Sequence, residues 1–249
     1  MLEKDRLLIS RFQNPKPHLR NDLRVYAVGD VHGRADLLTS ILSRIDIDLE
    51  RFPIAQSVQV FLGDYIDRGS HSCDVLDLLI HRRQRHTIVC LKGNHEAYVM
   101  RVLSNPTLMP RWREFGGDST LLSYGVASPM TENQPELESV VDALRRALPE
   151  SHHRFLQSLA LSFTCGDYFF AHAGVRPGIP LGMQSQRDLL WIRDDFLHCE
   201  EHFGKIVVHG HTPIAEPDIR ANRINIDTRA YATGRLTCLV LENDQMRFL

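Results

Sequence analysis

The chain has 249 residues, 43% of them hydrophobic and 24% charged, with 29 Lys+Arg against 31 Asp+Glu. A formal net charge of −2 gives no electrostatic reason to expect a nucleic-acid or membrane-surface partner. The five cysteines (Cys73, Cys90, Cys165, Cys199, Cys238) are scattered and form no CxxC pair, which argues against a disulfide framework or a thiolate zinc site.

The opening "MLEKDRLLISRF" mixes charges of both signs and has no apolar core followed by a small-residue cleavage site, so it does not read as a signal peptide. No segment approaches the roughly 18 consecutive apolar residues of a membrane span. A soluble, cytoplasmic protein is expected.

In chain order, "LRVYAVGD" ends at Asp30, "SVQVFLGD" at Asp64 and "HTIVCLKGN" at Asn94; "DYFFAHAG" reaches His172 and "KIVVHGH" ends at His211. Short apolar runs rich in β-branched residues and closed by Gly plus a polar residue predict buried sheet strands. Between the first three lie apolar residues at helical spacing: Leu37, Leu38, Ile41, Leu42 and Ile45, then Val75, Leu76, Leu78 and Leu79. Strand and helix in alternation predict an α/β layered fold, with ligands at the carboxyl ends of the strands. From about residue 101 to 150 prolines and a Gly-Gly pair break the rhythm, with helices predicted around Arg111–Tyr124 and Glu136–Leu148. This segment is expected to be a cap over the sheet ends within one domain spanning 1–249. Near the C-terminus "RINID" and "RLTCLVLE" read as strands completing a second sheet.

The 13 histidines are too many to be separated by number, so position has to decide. "GDVHGR", "GDYIDRG" and "GNHE" fall at predicted strand ends, where each glycine lets the chain turn sharply. Asp, His and Asn without thiolate form a donor set suited to Mn²⁺, Fe or Zn²⁺. With His172 and one or both histidines of "VHGH" there are ligands for two metals, and a shared carboxylate would hold them roughly 3.5–4 Å apart. Blander readings stand beside this one. Asp30 and Asp64 could cap helices, Arg68 could pair with Asp64 or Asp67, and His95 and His172 could be core histidines. Were residues 207–213 extended, His209 and His211 would share a face.

GD-x-H-G, GD-x-x-D-R-G, GNHE, HAG and GHTP, in that order from Gly29 to Pro213, resemble the phosphoprotein phosphatase family of calcineurin-like binuclear metallophosphoesterases. The resemblance implies two mixed β-sheets packed as a sandwich, with flanking helices and a helical cap. It implies Asp30 and His32 on a first metal, Asp64 bridging, and Asn94, His172 and His211 on a second. It makes His95, held by Asp67, the general acid, and has Arg68 and Asn94 contact the substrate phosphate. A second phosphate-binding arginine is expected after the HAG motif, and Arg193 in "LLWIRDDF" fits better than Arg176. His209 stands outside the family position and is left as a neighbour that shares a face with the site. Two positions depart from the pattern: Ser70 replaces a common proline, and Arg229 stands where relatives carry glycine. Tyr231, Trp112 and Tyr124 are candidates for a substrate face or for the core.

The implied activity is hydrolysis of phosphoserine, phosphothreonine or phosphotyrosine proteins by water activated at two divalent ions, manganese first, with iron or zinc as alternatives. The implied alternative substrate is a symmetrical dinucleoside tetraphosphate. In either case the partner is a phosphoester substrate, with neither nucleic acid nor membrane.

Overall fold

The computed structural model describes residues 16–127, 129–130 and 133–249. The opening stretch read for a leader, and residues 128, 131 and 132 of the expected cap, lie outside them.

The first three predicted strands form as β1 (Leu23–Val28), β2 (Gln56–Phe61) and β3 (Ile88–Cys90). They run parallel and in order, with Val28 opposite Phe61 and Phe61 opposite Cys90. All three therefore deliver their carboxyl ends to one edge. The crossovers are α1 (Ala35–Arg51) and α2 (Ser72–Arg83). Helix α1 buries Leu38, Ile41, Leu42 and Ile45, the spacing seen in the sequence. Neither Asp30 nor Asp64 caps a helix, since the N-cap positions of α1 and α2 are Arg34 and His71.

A second sheet holds β4 (Ser162–Cys165), β5 (Tyr168–Ala171), β6 (Ile206–His209), β8 (Arg223–Asn225) and β7 (Asp218–Ile219), in that order. Here β5 and β6 are parallel, so His172 follows one strand end and Gly210 the next. The strand expected from "RLTCLVLE" forms as β9 (Cys238–Glu242) but joins the first sheet, antiparallel to β1, with β10 (Gln245–Phe248) outside it. Its side chains explain why pattern alone misplaced it. Leu239 and Leu241 face the layer between the sheets, whereas Cys238 and Val240 face the helices, so both faces are apolar.

Apolar residues of both sheets, among them Val25, Ala27, Val60, Phe170, Val208 and Leu239, meet in one inner layer. Helices cover the outer face of each sheet. The expected sandwich of two mixed sheets with flanking helices is the observed architecture.

The segment after α3 (Asn94–Ser104) contains α4 (Met109–Glu114), α5 (Gly117–Ser123), α6 (Gln134–Ala147) and α7 (Glu150–Gln157). The single helix expected over Arg111–Tyr124 is broken at Phe115–Gly116, where Gly116 takes a left-handed φ of 97°. Trp112, Leu121, Val140 and Leu144 join the core on the first sheet. Trp112 is fully buried and Tyr124 is hydrogen-bonded to His152, so neither lines a substrate face. Two short helices, α8 (Gln186–Trp191) and α9 (Asp194–Leu197), lie between β5 and β6, and α10 (Ala230–Thr233) follows β8.

Candidate active site

The strand ends bring Asp30, His32, Asp64, Asn94, His95, His172 and His211 together, and all seven are buried. Much of this clustering is built on left-handed backbone: φ is 46° at His32, 52° at Asp64, 71° at Asp67, 67° at Arg68 and 62° at His211. Such conformations cost of order 1–3 kcal/mol each and persist where surrounding structure enforces them. The enforcement is visible. Val31 and His32 donate backbone N–H bonds to the Asp64 carbonyl. Glu96 accepts from the N–H groups of Asp64, Tyr65 and Gly93 at 2.9, 2.7 and 2.9 Å. The last residue of "GNHE" thus locks the loop that carries Asp64.

Gly93 and Gly210 allow the backbone to approach these carboxylates. A methyl group at Gly93 would overlap Asp64 Oδ1, and one at Gly210 would overlap Asp30 Oδ1.

The imidazoles around Asp64 carry the electrostatic signature of the site. His172 Nδ1 donates to the Leu62 carbonyl at 2.9 Å, and His32 Nδ1 to the Ile66 carbonyl at 2.9 Å. Burial holds both rings below the ordinary histidine range. Each is therefore neutral, with its lone pair on Nε2. Those lone pairs face Asp64: His172 Nε2 is 3.4 Å from Oδ1 and His32 Nε2 is 3.5 Å from Oδ2. Asn94 Oδ1 lies 3.0 Å from His172 Nε2 and 2.8 Å from His211 Nδ1. On the other flank Asp30 Oδ1 is buried without a hydrogen-bond partner. Burial, then Asp227 and Asp64, push the Asp30 carboxyl well above its usual value. Acceptors facing acceptors in a dry site are repulsive unless cations lie among them. Two groups of side chains, His32 with Asp64 and His95, and Asp64 with His172 and His211, bring oxygen and nitrogen donors close enough to share a divalent ion.

His95 is arranged differently. Its Nδ1 is 2.7 Å from Asp67 Oδ2, leaving Nε2 toward the cluster, 3.7 Å from Asp64 Oδ2. Burial opposes its charge, but Asp64 and Asp67 outweigh burial and push the ring up to about 9. Both carboxylates thus favour a proton on this ring. Asp67 is itself held by Trp112 Nε1 at 2.9 Å and Thr120 Oγ1 at 2.6 Å. Sequence reasoning missed Thr120 and took Trp112 for a substrate-face or core residue. The helical segment after α3 in fact grips the carboxylate behind His95.

Arg68 pairs with neither Asp64 nor Asp67. Its guanidinium lies over the Tyr231 ring at 4.6 Å, with Nη2 3.5 Å from His95 Nε2. Tyr231 also stands edge-on to His32, ring centroids 5.3 Å apart, so it does line the site. Arg176 is tied to Asp188 and Asp195 at 2.8 and 3.0 Å. Arg193 makes no ion pair among the described residues, and its charge helps depress His172 and His211.

His209 does not share a face with the site. Strand β6 ends there, and the left-handed φ at His211 turns the chain, so the alternation assumed for an extended segment is lost. The His209 ring packs edge-on against Phe196 at 4.9 Å and is fully buried. Burial pushes it down to about 3, which keeps it neutral. Asp227 was also missed. It follows β8 in "NIDT", is buried, helps raise the Asp30 carboxyl through its charge, and accepts from the Arg229 N–H at 3.0 Å. The strand-end rule that found Asp30 and Asp64 would have found it. Arg229, exposed at φ 56°, occupies a backbone conformation that explains the glycine expected there.

The sequence profile described as calcineurin-like phosphoesterase matches residues 23–236. The bis(5'-nucleosyl)-tetraphosphatase PrpE [asymmetrical] of Anoxybacillus flavithermus is 26% identical over 231 residues, covering 85% of this chain and 88% of that one. Serine/threonine-protein phosphatase 2 of Escherichia coli is 27% identical over 241 residues, covering 92% and 96%. The cold-active protein-tyrosine phosphatase of a psychrophilic Shewanella has the same fold, with TM-score 0.59, 16% identity, and coverage of 96% of this chain and 81% of that one. The chain therefore belongs to the calcineurin-like phosphoesterase family and is a hydrolase, a metallophosphoesterase built on that fold.

Proposed function

We propose that the protein hydrolyses phosphoric esters or anhydrides at a centre of two divalent ions. Asp30 and His32 would hold one ion, Asn94, His172 and His211 would hold the other, and Asp64 is within reach of both sets of ligands. The observation that carries this reading is the convergence of His32 Nε2 and His172 Nε2 on the Asp64 carboxylate, at 3.5 and 3.4 Å, with each ring's Nδ1 bonded to a backbone carbonyl. When bound, the ions lower the pKa of water toward neutrality and neutralise charge on the phosphoryl oxygens. The oxygen and nitrogen donors suit Mn²⁺, iron or zinc.

The chain's own groups do the rest. Asp67 fixes the tautomer and orientation of His95, so that the proton on Nε2 points at the leaving oxygen. Arg68 and Arg193 bind the phosphoryl oxygens, and Asn94 contributes from the second cluster. Tyr231 holds the Arg68 guanidinium by a cation–π contact.

The sequence reading favoured phosphorylated proteins, with a dinucleoside tetraphosphate as alternative. The relatives above carry both kinds of name, the nucleotidases being of the asymmetrical rather than the symmetrical type. Hydrolysis of p-nitrophenyl phosphate by the purified chain tests the chemistry. Release that is abolished by chelation and restored by Mn²⁺ supports it, and release indifferent to chelator contradicts it. Comparing kcat/KM for phosphoserine, phosphothreonine and phosphotyrosine peptides with that for diadenosine tetraphosphate settles the substrate.

A further inference from the structure

An open cleft of about 860 Å³ runs beside the site between α3 and α8, lined in part by Lys92, Tyr98, Arg101, Arg187 and Trp191. Its volume lies in the range of small-molecule sites. It begins where the chemistry ends. The Trp191 ring is 6.1 Å from His211, and Phe115 bridges the Trp191 ring at 6.3 Å and the His95 ring at 6.1 Å. Tyr98 packs edge-on to Phe115 at 5.2 Å. An aromatic wall thus leads from the proton donor and a proposed metal ligand outward along α3.

Three cations line that path. Among the described residues, Lys92, Arg101 and Arg187 make no ion pair and no side-chain hydrogen bond. Asp188, next to Arg187 in sequence, is already taken by Arg176. Arg101 leans over the Tyr98 ring at 5.6 Å. Trp191 is 37% exposed, although large aromatic side chains are favoured in the core and α8 buries its neighbours Leu189 and Leu190. A planar exposed ring beside three cations that form no ion pair among the described residues matches a ligand with one stacking group and several negative charges.

We infer that this cleft binds a nucleoside polyphosphate portion of the substrate, on the leaving-group side of the scissile phosphorus. The inference rests on the proposed hydrolase reading, because it places the reacting phosphorus between His95 and the ligand clusters. A leaving group that departs on the His95 side continues toward Phe115 and Trp191. An extended acidic peptide fits less well. It brings no base to stack on Trp191, and strand addition is closed to it, because both walls are helices whose N–H and C=O groups are largely bonded within the helix. The base stacks on Trp191, and the phosphates lie along Arg187, Lys92 and Arg101.

Tryptophan fluorescence of the full, metal-free chain tests this directly. The chain has two tryptophans, and Trp112 is fully buried, so a nucleotide in the cleft acts on Trp191. ATP is the probe. Saturable quenching is expected, lost in Trp191→Phe, with Kd raised at least about tenfold in the double variant Arg101→Ala/Arg187→Ala. Absence of quenching, or unchanged ATP affinity in the double variant, overturns the inference. So does quenching by an acidic phosphopeptide at lower concentration than ATP, which points to a protein substrate. A parallel assay of the Mn²⁺-loaded chain on p-nitrophenyl phosphate separates the two ideas. Turnover without ATP binding removes the cleft assignment and leaves the hydrolase reading. ATP binding without turnover removes the hydrolase reading, and with it the substrate role of the cleft.

Discussion

Trp112 donates its indole N–H to Asp67 Oδ2, the same oxygen that holds His95 Nδ1. A core tryptophan therefore shares an acceptor with the proposed proton donor. Removing the indole leaves Asp67 short of a buried partner, a loss of about 1–3 kcal/mol. Trp112→Phe should lower kcat several-fold and shift the pH dependence of kcat, with little change in bound metal. Unchanged kcat and pH profile would make the bond purely structural.

Proton donation by His95 matters most where the leaving oxygen is a poor leaving group. His95→Asn should reduce kcat on a phosphoserine peptide by about 10²–10⁴-fold. The loss on p-nitrophenyl phosphate should be much smaller, because nitrophenolate departs without help. Equal losses on both substrates would point to a role other than general acid, and loss of bound metal would make His95 a ligand.

Gly210→Ala is expected to abolish metal binding while preserving the fold. The added methyl would collide with Asp30 Oδ1, whereas the inner layer of the sandwich does not involve this position. Circular dichroism close to wild type with metal content below about a tenth of normal is the expected pair of results. Normal metal content would show that Asp30 can move aside without losing its place in the site.

Much of the site could be read from the sequence, because Asp30, Asp64, Asn94 and His172 each follow an apolar run that reads as a strand. Local pattern and chain order sufficed for these. It failed where a non-local fact decided. Both faces of Cys238–Glu242 are apolar, so nothing in the stretch selects the sheet it joins. Nothing near His209 shows that His211 adopts a left-handed φ and breaks the alternation. Trp112 and Thr120 reach Asp67 across 45 and 53 residues of sequence, a distance that spacing rules do not cover.

Away from the site, Asp48 binds Arg247 at 2.6 Å, Tyr26 at 2.7 Å and Arg24 at 3.2 Å. Burial alone would raise its pKa, but Arg247, Tyr26 and Arg24 outweigh burial and hold the carboxyl below its usual value. A lowered folded-state pKa stabilises the protein above the unfolded value of about 3.9, and the contribution fades as pH falls through the folded value. Asp48→Asn should therefore destabilise the chain by about 3 kcal/mol at pH 7. In denaturant titrations the gap from wild type should narrow below pH 4, and a gap independent of pH would assign the loss to packing.

In the proposed centre, the role of Asp64 is to join two ion sites. It is tested most directly by counting metal in the Mn²⁺-reconstituted wild type and in Asp64→Asn, with p-nitrophenyl phosphate turnover measured on the same samples. About two ions per wild-type chain are expected, with both sites weakened and turnover lost in the variant. Two tightly held ions in Asp64→Asn, or full activity in a wild-type chain stripped of metal, would contradict it.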